Sequence, residues 1–165
     1  MTALIVICIA LSLMGSALWI MPPKKERQRM ALRLHARQRN LTVQLTSIDF
    51  PDKWDKSMIR KKVVNYALYH LKPLDSVSQA YWLLPYQVWK YEEVAKGWWS
   101  NVPLSLSDSQ KQLLIEFSGR LEGIKIQSSG IDFYWQEQGD ESSVDDIAKL
   151  LQSLKEVKVH AVNDN

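Results

Sequence analysis

The residues of this chain most able to do chemistry are three histidines, one cysteine and a scatter of serines, and their spacing argues against a shared site. His35, His70 and His160 are far apart in the sequence, with no HxxxH pair or histidine–carboxylate spacing to set two ligands on one helix face. Cys8 is the only cysteine, so neither an intrachain disulfide nor a multi-thiolate metal centre can form. Ser107, Ser109, Ser128, Ser129, Ser142 and Ser143 fall in cap-like and turn-like contexts, and none has the GxSxG setting of a nucleophile elbow. Gly97, Gly119, Gly123, Gly130 and Gly139 are too dispersed to cradle a phosphate. The expectation is a non-catalytic protein without metal or cofactor.

Binding has a stronger signature. Tyr81, Trp82, Tyr86, Trp89, Tyr91, Trp98 and Trp99 fall within 19 residues, and indoles dominate interface hot spots as well as ligand grooves. Trp82 and Trp89 have the setting of core residues. The segment GWWSNVPLSLS, residues 97 to 107, reads as a loop, which makes Tyr91, Trp98 and Trp99 the candidate contacts for a partner protein or a small ligand.

The second binding signature is at the N-terminus. Residues 2 to 21, TALIVICIALSLMGSALWIM, are uncharged and apolar, and twenty residues of helix match the roughly 30 Å hydrocarbon core of a bilayer. No basic residue precedes this run and it is longer than a signal-peptide core, so the reading is an uncleaved transmembrane anchor. Residues 24 to 39 then carry seven bases and one acid, whereas residues 40 to 165 hold fourteen bases and seventeen acids. The basic pI therefore belongs to the connector. Its charge is expected to hold that flank on the cytoplasmic side and to meet membrane lipid, with Trp19, Lys24, Lys25, Arg27 and Arg29 at the interface. An RNA-binding arm is the disfavoured alternative, because the acidic remainder offers no nucleic-acid footprint.

The opening, an apolar run followed by MPPKKERQR, resembles that of YajC-type auxiliary subunits of the bacterial Sec preprotein translocase. The resemblance covers residues 3 to 40 and rests on Pro22, Pro23 and the Lys/Arg-Gln-Arg run. It implies a single-pass inner-membrane protein, N-terminus outside, with an accessory role beside a membrane complex. The family's Gly-Asp and Gly-Gly-rich β pattern is missing here, and residues 41 to 165 exceed its usual domain length. A membrane-tethered module that binds a small ligand or lipid precursor through the Trp-rich loop is the alternative function.

The elements that must position these residues read as α+β. Leu41, Val43 and Leu45 alternate with polar residues as a half-buried strand over 41 to 49. VVNYALYHL, residues 63 to 71, is a second strand by composition, and AYWLLPYQVWKY, residues 80 to 91, is an edge strand or two short strands because it contains Pro85. A helix follows Ser107 or Asp108, with Leu113, Leu114, Phe117 and Leu121 on one face. GIKIQSSGIDFYWQEQ is a hairpin with Ile124, Ile126, Ile131, Phe133 and Trp135 sharing a face. A last helix over about 143 to 157 is capped by Ser142 or Ser143, buries Val144, Ile147, Leu151, Leu154 and Val157, and ends near Lys155 and Lys158. The expected organisation is a transmembrane anchor (1–22), a basic juxtamembrane connector (23–40), a cytoplasmic two-layer domain of mostly antiparallel sheet covered by two helices (41–158), and a tail (159–165).

Overall fold

The segments read as strands from residue 41 onward, joined by two short strands at residues 92–100, form one seven-stranded antiparallel sheet. The computed structural model describes residues 1–20, 23–73, 77 and 79–157, leaving out the side chains of 17–20. Its elements are α1 (Thr2–Ile20), α2 (Lys24–Gln38), β1 (Thr42–Pro51), β2 (Met58–Tyr69), β3 (Tyr81–Leu84), β4 (Glu92–Ala95), β5 (Trp98–Ser100), α3 (Asp108–Glu116), β6 (Leu121–Gln127), β7 (Gly130–Trp135) and α4 (Glu141–Leu154). The strand order is β1-β2-β7-β6-β3-β5-β4. Pro22, Lys158, His160 and the tail 159–165 lie outside the described residues, as does the side chain of Trp19.

One part of the sequence reading is corrected. Among the described residues no helix is long and apolar enough to cross a membrane, so the expected transmembrane helix over 1–22 does not stand. Every described side chain of α1, residues 1–16, is exposed.

The basic segment is a helix built into the domain. Leu32 and Ala36 of α2 are buried in the main core, against α4 and β1. Asn40 ends α2 in the left-handed region, at φ 61, while the Asn40 N–H donates to the Arg37 carbonyl and the Leu41 N–H to the Ala36 carbonyl. That pairing is a Schellman closure, and asparagine is the residue after glycine that tolerates it best.

Alternation sorts the sheet into two faces. Tyr66, Leu68, Leu83, Ile124, Ile131, Phe133 and Trp135 face the helices and form the main core with Leu114, Ile147, Leu151 and Leu154. The hairpin faces are as the pattern predicts, since Ile124 pairs with Phe133, Lys125 with Asp132 and Ile126 with Ile131. Three helices contribute to this layer, α2 in addition to the two expected. On the opposite face Phe50, Val63, Leu84, Val88 and Tyr134 make a smaller cluster under the segment that follows β3. Gly123 allows it: a Cβ there would stand 2.9 Å from Leu84 Cδ2 and 3.2 Å from Phe50 Cε1.

Several local readings shift. β2 begins at Met58, inside the charged run, because its pairing with β1 continues to Pro51. β3 is interior, between β6 and β5, and Pro85 follows its last residue. Residues 97–107 are not all loop, since Trp98–Ser100 form β5 against β3 and β4. Leu121 opens β6 instead of extending the α3 face, after the chain turns at Gly119 with φ +83. α4 starts at Glu141 with Asp140 as its N-cap; Ser143 is the reciprocal partner of a capping box, not the cap itself. Ser107 caps α3 as read, in a box with Gln110.

Candidate functional site

A spacing of four residues sets Lys25, Arg29 and Arg33 on one face of α2. That face bounds an open cleft of about 610 Å³ whose other walls are the middle of β1 and β2, where Ser47 pairs with Lys62, and the residues that follow β7. Four cations line it against a single carboxylate, Glu137.

Glu137 is committed to Arg33. The Arg33 Nε and Nη2 donate to the two carboxylate oxygens at 2.7 and 2.6 Å, and the Tyr66 hydroxyl donates to Oε1 at 3.1 Å. The Glu137 side chain is 1% exposed, so this two-pronged pair is what makes its burial tolerable. The contact raises the Arg33 pKa, and burial, with the Glu137 charge behind it, pushes the Tyr66 hydroxyl up. Glu137 also sits at φ 54, in the left-handed region that a non-glycine residue occupies at a cost of about 1–2 kcal/mol.

The other cations of the cleft are uncompensated. Among the described residues Lys25, Arg29 and Lys62 make no ion pair. Two buried donors on lining residues, Arg29 Nε and Trp135 Nε1, have no hydrogen-bond acceptor among the described residues. Behind the cleft, Asp145 of α4 fixes α2 through His35 Nε2 at 2.8 Å and Arg39 Nε at 2.7 Å, and its carboxyl is held below the usual range by the His35 contact first.

The expected aromatic contacts take different places. Trp98 is 1% exposed and belongs to the main core. Trp99 is half-buried on β5, paired with Leu84 and Glu93. Tyr91 is half-buried against the smaller cluster, where burial raises its hydroxyl pKa. Trp82 packs between Phe50 and Tyr134, at ring separations of 5.6 and 6.1 Å. Trp89, assigned to the core from sequence, is 56% exposed, and Trp54 is 88% exposed. With Lys53, Tyr86 and Gln87 they line a second groove of about 380 Å³, and Lys56 and Lys90, which do not line it, stand 5.2 and 4.7 Å from the Trp89 ring centre. This shelf is the solvent-facing aromatic surface.

Of the interface residues read from sequence, Lys24, Lys25 and Arg27 are exposed on α2 and Arg29 is half-buried. His35 is on α2 and His70 directly follows β2, and among the described residues no group of His, Cys, Asp and Glu could hold a metal ion. Glu137 and Lys62 escaped the sequence reading. The i, i+4 cations of α2 were visible in it, but the partner of Arg33 is 104 residues away and carries no local signal. No protein-family model matches this chain, and neither a curated protein nor a solved structure is similar to it.

Proposed function

We propose that this chain is a membrane-associated interaction module, held at a bilayer by α1 and the basic face of α2, whose α+β domain serves a second protein as an accessory, non-catalytic component. The observation that supports this is the bare coat of α1. Leu4, Ile5, Val6, Ile7, Ile9, Leu11, Leu13 and Met14 are each more than half exposed. Covering an aliphatic side chain contributes about 1.5–3 kcal/mol, so eight of them outweigh any single polar contact of the domain. Successive residues are about 100° apart around a helix, so these side chains point in every direction. A bilayer surface supplies apolar cover for such a helix without the helix having to cross it. Lys24, Lys25, Arg27 and Arg29 follow within a few residues and complement anionic headgroups, at about 1 kcal/mol each near the surface. The accessory role is what the YajC-type resemblance implies, and the Trp54–Trp89 shelf is the surface suited to a protein contact.

Flotation tests the reading. Full-length chain synthesised in the presence of neutral phosphatidylcholine vesicles should rise with them through a density gradient at high salt, and a variant with Ile7→Asp and Leu11→Asp should remain below. Wild-type chain that stays below as a monomer would overturn the membrane assignment. Wild-type chain that stays below in complex with another protein would give α1 to a protein groove instead.

A further inference from the structure

We infer that the cleft between α2, β1 and β2 is a binding site for a phosphate-bearing anion. The site shares Lys25 and Arg29 with the basic face of α2 and so deepens the proposed function, but it needs neither α1 nor bilayer attachment.

The charge balance of the cleft comes first. Arg33 is neutralised by Glu137 through two short hydrogen bonds, which leaves Lys25, Arg29 and Lys62 facing one space without a carboxylate. Like charges gathered in one concavity repel one another unless a counter-charge enters, and a cleft lined by one sign concentrates ions of the other. Unfilled donors come second. Four buried side-chain polar atoms lack a partner among the described residues, and two of these, Arg29 Nε and Trp135 Nε1, belong to residues of this cleft. Both are N–H donors and neither can accept, so only an acceptor satisfies them. Trp135 is fully buried, on the last position of β7, and forms part of the wall of the cleft, where its indole N–H reports on occupancy.

The choice of phosphate follows from number and shape. A carboxylate offers two oxygens and one charge, as does a phosphate diester, whereas a phosphate monoester offers three terminal oxygens and up to two charges, which suits a guanidinium and two ammonium groups together. Ser47, paired with Lys62, adds a hydroxyl on the β1 wall. The cleft volume of about 610 Å³ is that of a small-molecule site and exceeds a bare ion, so the phosphate is carried by a larger body. A lipid headgroup and a soluble phosphate ester share this chemistry. Glu137 then has a positioning role: pinned by Arg33 and Tyr66, it fixes the mouth of the cleft while adding no free negative charge to it.

The test follows the Trp135 indole N–H by NMR in full-length chain held in neutral phosphatidylcholine nanodiscs, the resonance being assigned with Trp135→Phe. One arm titrates glycerol 3-phosphate; the other replaces part of the neutral lipid with phosphatidic acid. A saturable shift in the first arm identifies a soluble ester as ligand, and a shift confined to the second identifies a headgroup. In the responding arm Arg29→Gln and Lys62→Gln should each weaken binding about tenfold, the loss of one charge-assisted hydrogen bond, while Lys96→Gln, exposed between β4 and β5 at the far edge of the sheet, should not. A silent Trp135 resonance in both arms overturns the site, as does a shift that ignores Arg29→Gln and Lys62→Gln. Attachment to the neutral discs is scored separately, so failure of the membrane reading and failure of the anion site are told apart.

Discussion

At the scale of single residues, the Arg33–Glu137 pair is where most is at stake. A carboxylate with a side chain 1% exposed is stable there only because a guanidinium and a phenol hold both its oxygens. Arg33→Met should therefore cost about 3–5 kcal/mol by denaturation of the full chain in mild detergent, since it strands a buried charge. Combining it with Glu137→Gln should restore much of that loss, because the stranded charge is gone. A double variant no better than Arg33→Met would mean that Arg33 acts by packing alone. Trp98 shows the opposite kind of residue, one whose chemistry suggests contact but whose burial makes it filler for the core. Its neighbour in the sequence, Trp99, faces the other side of the sheet because side chains alternate along a strand.

Among the elements, α4 carries the clearest pH dependence. Asp140 accepts from the Ser142 hydroxyl at 2.7 Å and from the Ser143 N–H and hydroxyl at 3.0 Å each. These bonds, the Ser142 contact first, lower its pKa to about 2 from an ordinary carboxylate value. A depressed folded pKa gives a stabilising contribution that is complete above the unfolded value, near pH 4, and is lost as pH falls toward about 2. The Tm advantage of wild type over Asp140→Asn, which keeps a capping oxygen but cannot titrate, should therefore shrink between pH 5 and 2. An advantage equal at both ends would place the acid sensitivity elsewhere. α2 depends on neighbours more than on propensity: its cations are repulsive along the i, i+4 row, and what holds it is Leu32 and Ala36 in the core, the Asp145 clamp and the Asn40 closure.

For the whole molecule, the consequence of that docking is that α2 and the sheet form one cooperative unit. Leu32 is 1% exposed within the core shared by α2, α4 and the sheet, so Leu32→Ala should remove about 2–5 kcal/mol from the domain as a whole. In hydrogen exchange the amides of α2 and β7 should lose protection together in that variant. Loss confined to α2 would show it to be an appendage on an independently stable sheet. α1 contrasts with this unit, having an apolar coat with no protein cover among the described residues.

The sequence by itself determined what depends on neighbours in the chain. The hairpin faces around Ile124 to Trp135, the Ser107 cap and the Val144–Leu154 stripe are all short-range patterns, and each is found in the structure; the alternation from Leu41 gives the strand β1, but Leu45, read as an inward position, is 71% exposed. The apolar character of residues 2 to 16 and the basic row Lys25, Arg29, Arg33 were equally plain. Tertiary structure decided what depends on distant residues. Trp98 is buried because β5 is flanked by β3 and β4, a pairing no local composition encodes. Trp89 stayed at the surface because the chain ran past it outside any strand. The cleft exists only because α2 folds back over β1 and β2, and because Glu137, 104 residues from Arg33, neutralises one cation and leaves three to face an open space. Side-chain periodicity is a property of the backbone and can be read locally; the compensation of a buried charge is a property of whatever the fold brings beside it.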